Sequence, residues 1–368
     1  MKFIKILFLV HFLLVGDFIL SQVNLDSLFG VWNDESKADS SRLKAMDKIS
    51  WDGYLYSKPD SAFYYSQLEY DFALKVDNKK YMSKALNTQG ALFYFEYNYE
   101  KALEYYEKSL KISEEIGYKK GMESSYSYIA TIYLSNNNYK KALEYNEKTF
   151  KIYEELGDKR GMMRYLGNIG GIYKRMSNYE KARECFEKSL KISEEIGYKK
   201  GMEISYSLIG GMYIDQGNNE KALEYFEKSL KTSDEIGDKR GMVDSYNITG
   251  FIYYKQGNYE KALEHYEKSL KIREELGDKI GIGYTFHSIG LIYKDQGNYE
   301  KGLEYYQKSF EIFEEIGNKG GMMTYYEGIG VIYREQGNYD KALEYLEKCI
   351  KTSEELGDKI RMGSSLGN

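Results

Sequence analysis

This chain predicts an all-α solenoid, and three observations predict it. The sequence repeats at a step of forty residues, marked by Gly117, Gly157, Gly197, Gly237, Gly277, Gly317 and Gly357. A second series, Ala62, Ala102, Ala142, Ala182, Ala222, Ala262 and Ala342, keeps the same step, with Gly302 as its exception. Between these markers apolar side chains recur at helical spacing, and the 368 residues contain one proline. A period of this length means stacked supersecondary units rather than separate globular domains.

The N-terminus stands apart from the repeat. Residues 1–22 place Lys2 and Lys5 before an apolar run at Ile6–Val15. Asp17 stops that run well short of the ~18–20 residues that span a bilayer, so it reads as a secretory signal ending near Ser21. Its removal changes the net charge from -5 to about -6. Residues 23–40 form a polar lead-in. Leu25, Leu28 and Val31 allow a turn or two of helix, and Trp32 is placed to cover the open end of the stack, which terminal repeats require.

Eight units follow at 41–80, 81–120, 121–160, 161–200, 201–240, 241–280, 281–320 and 321–360, the first degenerate; 361–368 begins a ninth that stops partway. In the third unit Met122, Tyr126, Ile129, Ala130 and Tyr133 make one buried stripe on a first helix. Tyr139, Ala142, Leu143, Phe150 and Leu156 do the same on a second. Asn98, Asn138, Asn178, Asn218, Asn258, Asn298 and Asn338 stand where an N-cap belongs, their side-chain oxygens facing the free N–H groups of the first turn. The glycine series lies just past the last periodic residue, where a left-handed residue stops a helix. Pro59 falls near the start of the first unit's second helix, where proline is tolerated. Gly90, Ala130, Gly170, Gly210, Gly250, Gly290 and Gly330 sit inside the first helices at a cost of about 1 kcal/mol per glycine. Close approach to the alanine series of the second helix explains them.

At these residues the chain resembles the tetratricopeptide repeat family. Tyr246, Ile248–Gly250 and Tyr253 match the family's first helix, and Ala262, Tyr266 and Ser269 its second. The usual final proline is absent and the period is longer than the ~34 residues of the standard repeat. The resemblance covers Ser41–Leu366 and implies a right-handed superhelical α-solenoid whose first helices line a concave groove that takes peptides or protein segments. Those first helices vary away from their packing stripe, while the second helices are nearly constant. The resemblance therefore puts Arg164, Asn168, Lys174, Arg175, Asp244, Asn247, Tyr254, Lys255, Tyr284, His287, Lys294, Asp295 and Arg334 in the groove. Basic and amide side chains of this kind suit an extended polypeptide with acidic groups.

Other chemistries lack their residues. His265 and His287 are the histidines after the signal, with no HExxH and no paired cysteines, so no metal or other cofactor is expected. His265 replaces a second-helix tyrosine and reads as a surface variant. Cys185 and Cys349 stand four repeats apart, as small packing residues rather than a disulfide. Gly167–Gly171 and Gly281–Gly283 match no phosphate-cradling motif. The pI of about 5.6 argues against a nucleic-acid partner. Asn247-Ile-Thr249 is a glycosylation sequon whose threonine falls beside the packing glycine.

The expectation is a non-catalytic, exported interaction module that binds a peptide or protein segment. Trp51–Tyr54 and Lys58–Ala62 resemble the exported repeat region of Bacteroidota-type membrane signalling proteins. That resemblance implies the sensory part of a longer protein, periplasmic and tethered to the inner membrane, with a cyclase or histidine-kinase domain beyond residue 368. The alternative is a standalone periplasmic scaffold that assembles envelope proteins.

Overall fold

The computed structural model describes residues 24–356; the signal-like segment, Gly357 and the segment 361–368 lie outside them. Seventeen α-helices and one π-helical turn account for the described chain, with no strand among the described residues. The order is α1 (Leu25–Asn33), α2 (Asp39–Lys48), the π turn (Ile49–Tyr54), α3 (Pro59–Lys75), α4 (Lys79–Phe95), α5 (Tyr99–Glu115), α6 (Lys119–Ser135), α7 (Tyr139–Leu156), α8 (Lys159–Arg175), α9 (Tyr179–Glu195), α10 (Lys199–Asp215), α11 (Asn219–Glu235), α12 (Lys239–Lys255), α13 (Tyr259–Leu276), α14 (Lys279–Asp295), α15 (Tyr299–Glu315), α16 (Lys319–Glu335) and α17 (Tyr339–Glu355). Two compact units divide the chain at Ile172 and Tyr173. Within each, helices pack as successive antiparallel pairs, each pair against the next.

The helix ends follow from local chemistry. The Asn98, Asn138, Asn178, Asn218, Asn258, Asn298 and Asn338 side chains each accept the amide of the residue three further on, as in Asn138 with Lys141 at 3.2 Å. Gly157 and Gly277 close their helices at φ 64° and 65°. The first helices end the same way, a stop the periodicity alone did not reveal. Gly217, Gly257, Gly297 and Gly337 take φ of 73–75° there, but Tyr97, Asn137 and Ser177 take 56–60° without being glycine. Left-handed backbone costs an L-residue roughly 1–2 kcal/mol. Tyr97→Gly is therefore expected to stabilise the first unit by about 0.5–1 kcal/mol in denaturant melts. An unchanged midpoint would show that the ring contact of Tyr97 with Tyr99 offsets the strain.

The interior glycines are packing sites, with one refinement. A Cβ on Gly90, Gly210 or Gly290 would lie 2.6–2.8 Å from the ring of Tyr106, Phe226 or Tyr306, four residues beyond the alanine series rather than on it. Where the glycine gives way to Ala130, the ring gives way to Asn146. At the junctions between pairs a second set appears. A Cβ on Gly161 would meet Tyr153 at 2.0 Å, and one on Gly321 would meet Phe313 at 2.3 Å. A buried hydroxyl seam runs alongside: Ser109 donates to the Ser83 carbonyl at 2.8 Å, and Ser125 to Ser109 Oγ at 3.1 Å. Exposed Lys–Glu rungs such as Lys119–Glu155 and Lys239–Glu275 join the start of each first helix to the end of the second helix of the same pair. Each contributes at most a few tenths of a kcal/mol to about 1 kcal/mol.

The N-terminal end is covered. Leu25 of α1 packs on Gly53 of the π turn, Phe29 lies against Tyr65, and Trp32 meets Phe72 edge-on at 5.2 Å with the Arg42 guanidinium over its ring. Pro59 occupies the first turn of α3. Two expectations need correction. Leu156 is exposed rather than packed, because it ends its helix beside the glycine stop. His265 is half-buried and its Nδ1 lies 2.7 Å from Thr249 Oγ1, so it is a packing residue; burial holds its pKa below the ordinary value.

Candidate functional site

Consecutive first helices touch one another, α4 with α6 and α14 with α16, whereas no two consecutive second helices pack together to that extent among the described residues. The side chains that link neighbouring first helices therefore define a face in each unit, and the candidate residues lie on these helices.

In the first unit that face centres on Arg164. Its guanidinium donates to Tyr153 Oη at 2.7 Å, lies 3.4 Å from Glu123 Oε1, and stacks over the rings of Tyr153 and Tyr165. Tyr165 donates to the same Glu123 oxygen at 3.1 Å and bonds Ser127. Burial, and then the Glu123 charge, push the Tyr153 and Tyr165 hydroxyls upward, so both stay protonated donors. Asn168 is exposed one turn further along α8.

In the second unit the links recur at a spacing of forty-one residues. Lys174 pairs with Asp215 at 3.0 Å, and Tyr254 donates to Asp295 Oδ2 at 2.6 Å. Lys294 also pairs with Asp295, at 2.7 Å. Burial alone would raise Asp295, but the bonds from Lys294 and Tyr254 outweigh it and hold the carboxyl below its usual range. Lys255 is exposed, with its ammonium over the Phe251 ring. The structure thus gathers Tyr254, Lys255, Lys294 and Asp295 around two first helices.

The remaining candidates are more scattered. Asp244 is solvent-accessible, yet the protein around it pushes its carboxyl up to about 6 despite the nearby Arg273. Asn247 is half-buried one turn along the same helix. Tyr284 packs edge-on against Phe313 at 4.9 Å, and His287 lies 5.0 Å from the Tyr306 ring, so both serve packing as well as surface. Arg175 and Arg334 are half-buried in the last turns of α8 and α16. Two shallow cavities of about 430 and 340 Å³ lie elsewhere, lined by residues such as Asn218, Gln256, Tyr179 and Arg183, and neither includes a candidate residue.

Several members of these clusters escaped the sequence reading, namely Glu123, Tyr153, Tyr165 and Asp215. The available signal was departure from the repeat itself. Tyr153 stands where serine is commonest, whereas Glu123 gave no such signal, since Glu203 recurs at its position among Met163, Val243 and Met323.

Stacked antiparallel pairs with a constant second helix and a variable first define a helical-repeat protein. The family model described as Tetratricopeptide repeat matches residues 81–155, 121–195, 161–233, 201–275 and 282–355. The chain belongs to the tetratricopeptide repeat family. No curated protein matches the sequence. Among solved structures the chain is similar to aspartyl phosphate phosphatase F from Bacillus subtilis, with 16% identity, TM-score 0.59, and coverage of 92% of this chain and 94% of that one. The apo form of the quorum sensor NprR from B. thuringiensis gives 15% identity, TM-score 0.58, and coverage of 89% and 97%. A signal transduction ATPase with a tetratricopeptide repeat sensor, from Pyrococcus horikoshii, gives 20% identity and TM-score 0.57, covering 91% of this chain and 52% of its own. At these identities the likeness is one of fold.

Proposed function

We propose that the protein is a non-catalytic interaction module that takes a peptide or protein segment along its first helices. The observation that carries this reading is the cross-helix pairing of Lys174 with Asp215 and of Tyr254 with Asp295. Such pairs present donors and acceptors at regular intervals along one face, which suits an extended backbone with charged side chains. Because the bases are already paired, an incoming acidic group competes with Asp215 or Asp295 instead of meeting an unengaged cation. The exchange costs little where both partners are solvated. Within this proposal the chain is exported through its N-terminal segment and serves as the input part of a membrane signalling protein. The P. horikoshii neighbour, whose repeat region is described as a sensor, lends that part its support.

The test is selection from a randomised seven-residue peptide library on the full chain. Enriched peptides are expected to lose about tenfold or more in affinity when Asn247→Ala, Tyr254→Ala and Lys255→Glu are combined, a loss of about 1.4 kcal/mol. Circular dichroism must stay unchanged. Equal affinity for the triple variant would move the binding site away from this face, and no enrichment at all would sink the reading.

A further inference from the structure

The hydroxyl seam gives way at both ends, to a thiol at Cys349 and to a carboxyl at Glu69. The position held by Ser109, Thr149, Ser189, Ser229, Ser269, Ser309 and Cys349 carries Glu69 in the first pair. A serine there is satisfied by a neighbouring carbonyl, as Ser109 is. Glu69 is completely enclosed; its Oε1 has no hydrogen-bond partner, and its Oε2 lies 3.5 Å from Ser50 Oγ. Lys84 of α4 is paired with Asp47 of α2. Asp47, Lys84, Tyr81 and Ser50 face Glu69 from α2, α4 and the π turn. Asp52 and Tyr118 face the Asp47–Lys84 pair in turn. One ammonium therefore serves two carboxyl groups. An ionised carboxylate without a partner in such a place is far more costly than a protonated one.

We propose that Glu69 holds a proton that locks the first helix pair, and that losing it as pH rises loosens α3 from α2 and α4 before the rest of the first unit. Burial, with the Asp47 charge added, raises the Glu69 pKa well above the ordinary range, which supports the assignment. The sign follows from linkage. A folded-state pKa above the unfolded value means that the native state binds the proton more tightly. The stabilisation is full below the unfolded pKa of about 4.3 and is lost as pH rises through the folded one. The device lies on the helix pair that begins the stack, so a change there alters the end of the first-helix face without touching the other pairs.

Hydrogen exchange on the full chain, corrected for the intrinsic effect of pH and followed from roughly pH 6 to pH 9, tests this. Amides of α3 are expected to lose about tenfold or more of their protection relative to those of α5, at up to one decade for each pH unit below the folded-state pKa and with no further loss above it. Glu69→Gln, which keeps the shape, and Glu69→Ser, which restores the residue of most other pairs, should both abolish the loss. The two variants guard against a folding defect in either one. Parallel protection of α3 and α5 at every pH would overturn the proposal, as would an unchanged loss in both variants. A carbon-13 titration placing the wild-type Glu69 carboxyl in the ordinary range would overturn it as well.

Discussion

Gly290→Leu is expected to destabilise the second unit by about 3 kcal/mol, the upper end of ordinary overpacking. A Cβ at this position would lie 2.8 Å from the Tyr306 ring and 3.2 Å from the Gly302 carbonyl oxygen. The ring has no room to yield. Tyr306 is almost fully enclosed, and its far edge lies against Gly328, where an added Cβ would stand 2.8 Å away. The carbonyl belongs to the partner helix, so relief requires the whole pair to open. Gly250 is a milder case, because its nearest contact would be Tyr266 at 3.2 Å. The same leucine at Gly250 should therefore cost less than at Gly290. Tyr306→Ala alone should cost about 3–5 kcal/mol through the cavity it leaves. The double variant Gly290→Leu with Tyr306→Ala should recover about 1–3 kcal/mol relative to the sum of the singles. Chemical denaturation of the four proteins measures that coupling. Strict additivity would show that the leucine finds space elsewhere.

Phe313→Ser should cost about 3 kcal/mol, although serine is what Ser113, Ser193, Ser233 and Ser353 place at the same point of the repeat. The reason is a pairwise exchange of volume. Phe313 is fully enclosed and fills the space left by two glycines: a Cβ on Gly283 would lie 2.7 Å from its ring, and one on Gly321 would lie 2.3 Å away. Where the second helix carries the small Ser353, the first helix of that pair carries the buried Met323. Gly283 with Phe313 and Met323 with Ser353 are two solutions to one packing problem. Gly283→Met should therefore be harmful alone and should restore most of the stability lost in Phe313→Ser, as judged by thermal melts. Failure of that rescue would mean that Phe313 acts through the junction with Gly321 and not within its own pair.

These cases show what could be read from the chain and what could not. Helix limits were legible because they are local. An asparagine meets an amide three residues on, and a glycine supplies its own left-handed turn. The stop at Gly217 and its equivalents was missed because Tyr97, Asn137 and Ser177 occupy it elsewhere. The packing glycines were legible as a series, but their partners were not. Gly90 and Tyr106 lie sixteen residues apart on different helices, and only the helix crossing brings them together. The face of the first helices was legible as a set of variable positions. Its internal pairing was not, since Arg164 and Glu123 meet across a full repeat. Glu69 stands in the most divergent unit, where comparison with the other repeats was weakest.

The junction pairs bear on how such a gene can change length. The near-identical second helices, EKSLKI at 107–112, 187–192 and 267–272, stand eighty residues apart, so an exchange between two of them would gain or lose eighty codons, two whole repeats, in frame. Ser113 with Gly121, Tyr153 with Gly161 and Phe313 with Gly321 are each eight residues apart, so such a crossover moves them as intact pairs. Gly283 and Phe313 lie on opposite sides of it and would be separated. Gly283 has no glycine counterpart at its position in the other repeats, so such a separation would leave Phe313 facing a bulkier first-helix residue.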